Sequence, residues 1–258
     1  MAALGRLYIG AILAFLYLPI IVMIVMAFNQ SPLYQMPFVF DLVWFKALTT
    51  NDRLLAASWN SVWIATLTSL IATTIGTLAA IAFARYEFRG KRFLELMLLP
   101  PITIPWLIIG TAMLIFFFWT GIGRGLHAML LGHVALALPY VIFVVSARLR
   151  SFERVLEEAA ASLGATPAQV LTRVTLPSIR PGIVAAALFA FAVSFDQFVI
   201  SYFLAAPGVS TLPVEIYTAI RKGFTPEINA VSSIIILVSM GTMLLVARTY
   251  RFGGDERR

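Results

Sequence analysis

EAAASLGATPAQVLTRVTLP, Glu158 to Pro177, is a polar-flanked insert between two very apolar segments, and its spacing predicts two short helices. Ser151 is placed to cap the first. Glu153, Glu157 and Glu158 put carboxylates near its positive N-terminal end, and Leu156, Ala159, Ala160 and Leu163 recur at helical spacing. Gly164 ends that helix, because glycine takes the left-handed conformation without strain. Thr166 then opens a second helix as N-cap, with Pro167 at its first position and Gln169 completing a capping box. Val170, Leu171 and Val174 form its apolar stripe, and Pro177 is expected to stop it. Such a hairpin is either an ordinary structured loop or a docking element whose apolar face awaits a partner.

The apolar character of the flanks extends over the whole chain. Of 258 residues 60% are hydrophobic and 12% charged, with a mean hydropathy of +0.92. That composition excludes a soluble globular domain and predicts an all-α polytopic membrane protein. Six runs reach the length needed to cross roughly 30 Å of hydrocarbon at about 1.5 Å per residue. They lie near Leu7 to Phe28, Asn60 to Ala84, Phe93 to Trp119, Leu126 to Ala147, Pro181 to Ala205, and Ile228 to Ala247. The first is too long for a signal-peptide core and lacks a small-residue cleavage site before Asn29, so it is expected to stay as a transmembrane helix.

Orientation follows from the basic residues. With the N-terminus inside, Arg6, then Arg85 to Arg92, then Arg148, Arg150, Arg154, Arg173 and Arg180, then Arg248 to Arg258 are cytoplasmic, as is the hairpin. Lys46, Arg53, Arg124, Arg221 and Lys222 remain outside, which fits the positive-inside rule with both termini cytoplasmic. The net charge of +7 is thereby topological and gives no reason to invoke nucleic acid. The absence of cysteine excludes disulfides and thiolate metal sites. Gly90-Lys91-Arg92 lacks the spacing and hydroxyl of a phosphate-binding loop, so a nucleotide site in this chain is not expected.

Between the first two runs, Asn29 to Trp59 reads as an outer loop with a short interfacial helix near Leu42 to Leu48 and with Trp44, Phe45 and Trp59 as interface anchors. The second run, rich in Thr, Ser, Ala and Gly, reads as a packing helix. In the third, Pro100, Pro101 and Pro105 must interrupt the helical ladder, giving either a flexible element of a pathway or a static kink. His133 in the fourth either faces a cavity or bonds to a neighbouring helix. Asp196, in AFAVSFDQFVISYFL, is the acidic residue deepest in an apolar run and by default marks a site, although a structural pairing is the alternative. On a continuous helix Phe189, Ala192, Val199 and Phe203 share its side, and Ser194, Gln197 and Ser201 form a separate packing stripe. Asp196 beside an aromatic ring would suit a cation. Thr225 is read as the cap of the last run. Glu215, Tyr217 and Glu227 are read as outer-side groups, available to a cationic solute or a binding protein or simply solvated.

The set Glu158, Ala159, Ala160, Gly164, Val174, Leu176 and Pro177 resembles the EAA signature of permease subunits of binding-protein-dependent ABC importers, with Val174 where the family usually has isoleucine. SFDQFVIS, APGVSTLPVEIY and RKGFTPEINA resemble the spermidine/putrescine-type members, on the side of the smaller-loop permease of the pair. The resemblance implies a type I ABC importer permease fold of six transmembrane helices in the bacterial inner membrane, with the hairpin as coupling helix in a cleft of a cytoplasmic ATPase. It places Glu158 near a basic group of that partner and Gly164 at a closely packed turn. It further implies a second related permease, two ATPase subunits that bind ATP and Mg, no cofactor in this chain, and a periplasmic solute-binding protein. Asp196, Phe203, Pro105 and Tyr217 become the pathway candidates. Similar permeases also serve other amines, phosphonates and ferric ion. A secondary carrier would need coupling or filter chemistry that the spans hardly contain.

Overall fold

Helices occupy all six apolar runs, and two of the runs are broken: the third at its prolines, as expected, and the fifth at Asp196, where a continuous helix was expected. The computed structural model describes residues 2–32, 35–223 and 226–252, which is why the cap assigned to Thr225 lies outside the described residues. In chain order the helices are α1 (Ala2–Met26), α2 (Val43–Thr50), α3 (Asp52–Arg85), α4 (Lys91–Met97), α5 (Pro100–Thr103), α6 (Trp106–Trp119), α7 (Leu126–Arg150), α8 (Val155–Ser162), α9 (Pro167–Val170), a π turn (Leu171–Thr175), α10 (Leu176–Phe195), α11 (Phe198–Leu204), α12 (Leu212–Lys222) and α13 (Glu227–Phe252). By length and composition α1, α3, α7 and the continuous stretch Pro167–Phe195 can each cross a membrane. The pair α4–α5 and α6 would make a fifth crossing, bent by 113°. The apolar part of α13 described here, Glu227–Gly241, is shorter.

The bend has a local cause. Ile104 and Pro105 are extended, with ψ of 136° and 131°, and Pro105 supplies the N-cap of α6 while Pro100 and Pro101 open α5. The three prolines therefore sit at helix starts, where a missing N–H costs nothing.

The contacts divide the chain into two units, residues 1–55 with 216–258, and residues 56–215. In the first, α13 packs on α1 and α2. Phe28 lies against Phe40 and Phe45, with ring centroids 5.7 and 4.8 Å apart, and the Trp44 indole donates to the Asn29 carbonyl at 2.8 Å. Asn51 donates to the Glu227 carboxylate at 3.2 Å, which gives that acid a structural partner.

In the second unit α10 packs along α7, and the core between them includes Val141, Val145, Ile179 and Ala186. Close approach depends on small residues. A Cβ at Gly182 would lie 2.7 Å from Arg148 Cβ, and one at Gly76 2.6 Å from Val141 Cγ1. In lipid, where helices gain little from excluding water, such backbone proximity is a main source of packing energy. Glu215, expected at the outer surface, is instead 5% exposed and engaged with partners.

Candidate functional site

Two places in the second unit combine unusual backbone with polar chemistry. The first is the hairpin. Leu163 is the C-cap of α8 and Gly164 follows with φ of +86°. The Gly164 and Ala165 N–H groups donate to the carbonyls of Ala161 and Ala160, at 3.0 and 3.1 Å, the paired bonds of a Schellman turn. After it the Thr166 hydroxyl accepts from the Gln169 N–H at 3.3 Å, and the Gln169 side chain accepts from the Thr166 N–H at 2.9 Å, closing the expected capping box.

Two expectations fail here. Ser151 does not cap α8; it ends α7, donating to the Arg148 carbonyl at 2.9 Å, and Arg154 takes the N-cap position with no side-chain bond. Pro177 does not stop the second helix. The π turn comes immediately before α10, and Pro177 is the second residue of α10, where its lack of an N–H is tolerated. The second arm of the hairpin is consequently one continuous stretch with the apolar helix above it, Pro167–Phe195.

Within this chain the apolar face of α8 is uncovered. Leu163 is 90% exposed, Val155 66% and Leu156 50%. Among the described residues, no atom beyond Gly164 and its two chain neighbours lies within 4 Å of a Cβ built on Gly164, so its conformation and not crowding demands glycine. Glu158 points outward beside Arg154 of its own helix, Nε to Oε1 3.5 Å. Glu157, unremarked by pattern except as a helix-end charge, turns inward. Arg85 Nη2 donates to its Oε1 at 3.1 Å, Arg85 Nε lies 2.9 Å from Oε2, and the Thr175 hydroxyl donates to Oε1 at 2.7 Å.

The second place is a helix break. A continuous helix through Asp196 was expected, but α10 ends at Phe195, Asp196 is its C-cap, and Gln197 is extended with ψ of 92° before α11 begins. Nothing in the local sequence except the polar pair Asp-Gln signals it. The Gln197 side-chain oxygen caps α11, accepting from the N–H groups of Val199 and Ile200 at 3.2 and 3.4 Å. Its Nε2 is buried and finds no hydrogen-bond partner among the described residues. His133 of α7 holds both sides of the break: Nδ1 is 2.8 Å from Ser194 Oγ and Nε2 3.0 Å from Ser201 Oγ. Serine hydroxyls both donate and accept, so either imidazole tautomer is satisfied. The histidine thus belongs to the scaffold and not to a cavity.

Gly110 of α6 and Gly132 of α7 let α11 nest between them. A Cβ at Gly110 would stand 2.9 Å from Phe203 Cδ2, and one at Gly132 2.7 Å from Ile200 Cγ2. The Gly125 N–H closes the far end of α11, donating to the Leu204 carbonyl at 2.8 Å. Phe203 therefore packs on α6, and the face it was expected to share with Asp196 is interrupted. Asp196 itself is exposed, at the carbonyl end of α10. A helix C-terminus already carries partial negative charge, so a carboxylate there is electrostatically unfavourable alone and well matched to a cation. Pro105 is exposed at the other break. Tyr217 lies on α12, with the Arg221 guanidinium carbon 5.8 Å from its ring centroid.

The histidine clamp gives a stability prediction. His133→Ala removes two buried hydrogen bonds and leaves a void, at a cost of about 2–4 kcal/mol. A lower unfolding midpoint for the purified protein is the expected result, read by thermal melting in detergent.

A polytopic α-helical membrane protein with an uncovered hairpin is the class that this fold defines. Residues 72–252 match the family described as binding-protein-dependent transport system inner membrane component, and the chain belongs to that family. It is 36% identical over 252 residues to the spermidine/putrescine transport system permease protein PotC of Escherichia coli (strain K12), covering 95% of this chain and 96% of that one. The putrescine transport system permease protein PotI of the same strain is 36% identical over 230 residues, 86% of this chain and 82% of the relative. Among solved structures, a bacterial alginate ABC transporter in complex with an alginate pentasaccharide-bound periplasmic protein aligns with a TM-score of 0.73 at 20% identity, over 95% of this chain and 91% of its own. The MetNI methionine ABC transporter aligns at 0.62, also at 20% identity, over 81% and 95%. These likenesses give the fold, that of a type I ABC importer permease.

Proposed function

We propose that this chain forms half of the translocation path of an ATP-driven importer of small polyamines of the spermidine/putrescine class. Its partners are a second homologous permease, two cytoplasmic ATPase subunits and a periplasmic solute-binding protein. Both termini and the hairpin lie in the cytoplasm. ATP and Mg belong to the ATPase subunits, and this chain contributes no catalytic residue and no cofactor of its own.

In this reading Glu158, Ala159, Ala160 and Gly164 present the docking tip, and Leu176 and Pro177 join it to the long helix above. Asp196 offers a protonated amine a carboxylate beside the carbonyl end of α10, the arrangement broken membrane helices use toward cations. Pro105, Phe203 and Tyr217 are further residues proposed for the path, each from its own element. The observation that carries the reading is the exposed carboxylate at a helix break, in a chain whose relatives over nearly its full length are named as polyamine permeases.

Uptake of labelled putrescine and spermidine into proteoliposomes containing the complete complex and its binding protein tests it. Uptake that requires ATP and is competed by other polyamines is expected. Uptake indifferent to ATP, or selective for an anionic solute, would contradict it.

A further inference from the structure

We propose that Glu157, held between Arg85 and Thr175, is the joint through which movement of the docked hairpin reaches the membrane helices. The proposal rests on the coupling role given to the hairpin above. Two neighbouring carboxylates have opposite surroundings: the Glu158 side chain is 66% exposed, whereas that of Glu157 is 13% exposed. Glu158 is available to an outside partner and Glu157 is not.

What Glu157 holds is a three-way junction. Arg85 is the last residue of α3, Thr175 the last of the π turn that leads into α10, and Glu157 stands in the first turn of α8. The Arg85 guanidinium meets the carboxylate through two nitrogens, with contacts of 2.9 and 3.1 Å, and the Thr175 hydroxyl donates to it at 2.7 Å. Of the two nitrogens only Nη2 donates a hydrogen bond, Nε being close but not aligned to donate, so the junction is an ion pair plus two hydrogen bonds that meet on one carboxylate oxygen, and partial burial shields it from competing water. Tilting α8 therefore displaces the end of α3 and the base of α10 together. Among the described residues no other ion pair ties α8 to α3 or α10, so without the carboxylate α8 would move independently of them.

The test uses the complete complex in proteoliposomes with its binding protein and putrescine, measuring solute transported per ATP hydrolysed beside retention of the ATPase. Glu157→Gln and Arg85→Gln are expected to keep the ATPase bound while transport per ATP falls by about tenfold, equivalent to about 1.4 kcal/mol. An unchanged ratio in either variant would overturn the joint. Loss of assembly in either would mark the pair as architectural and overturn it equally. Leu163→Asp, at the exposed tip, is the separate control on the hairpin: if it leaves ATPase retention intact, the docking reading itself fails, whatever the Glu157 variant does.

Discussion

Gly164→Arg is expected to strip the ATPase subunits from the purified complex, by at least about tenfold, while the chain still inserts in the membrane. Gly164 has φ of +86°, a conformation that costs a non-glycine L-residue roughly 1–2 kcal/mol. The Schellman bonds of Gly164 and Ala165 tie that conformation to the end of α8. Among the described residues, no atom beyond Gly164 and its two chain neighbours lies within 4 Å of the new Cβ, so the Cβ does not collide with the permease's own core. Its bulk and charge fall instead on whatever covers Leu163. Gly164→Ala separates the two contributions, since it carries the strain without the bulk and should retain more ATPase. Affinity purification from membranes followed by quantification of the bound ATPase reads both variants. Arginine at this position with full ATPase retention and full uptake would remove the basis for the coupling assignment.

Asp196→Asn is expected to lower uptake of a divalent amine by about tenfold or more without loosening the assembly. Two unit charges about 4 Å apart attract by about 1 kcal/mol in bulk water and by about 4 kcal/mol at an effective dielectric of 20. A water-filled path lies between these limits, and asparagine keeps the volume and one carbonyl acceptor while removing the charge. Asp196 is exposed and its carboxylate makes no hydrogen bond or ion pair among the described residues, so exchanging the side chain should leave the helix break standing on His133 and Gln197. Initial uptake rates at several solute concentrations, with subunit stoichiometry measured on the same preparation, decide it. A complex that falls apart would show that Asp196 pairs with a neighbouring subunit for structure.

The parts of this architecture that were legible in the sequence are those fixed by short-range chemistry. The Gly164 turn and the Thr166–Gln169 box are local, since every bond in them joins residues a few positions apart. Ser151 is ambiguous in sequence because a serine one turn early serves a preceding helix end as readily as a following start. Pro177 was read as a stop because a proline inside an α-helix normally is one, and the π turn that admits it leaves no compositional trace.

The helix break at Asp196 was not legible, and its supports explain why. The His133 bonds to Ser194 and Ser201 span 61 and 68 residues, and Gly110 and Gly132, which seat α11, come from two other helices. The spacing of Ser194 and Ser201 placed them on one face, but only the fold shows that a single imidazole bridges them. Arg85 and Glu157, 72 residues apart, were read as charges setting topology and helix polarity. Their pairing is a tertiary event that neither segment encodes alone.

The central claim is that this chain works only as one subunit of an ATP-coupled assembly. Gentle affinity purification of the tagged chain from its native membrane, with the co-purifying proteins identified by mass spectrometry, tests it most directly. The account predicts an ATPase subunit and a second permease of the same family in stable association with it. Recovery of the chain alone, under conditions in which a known importer of this type stays intact, would contradict it.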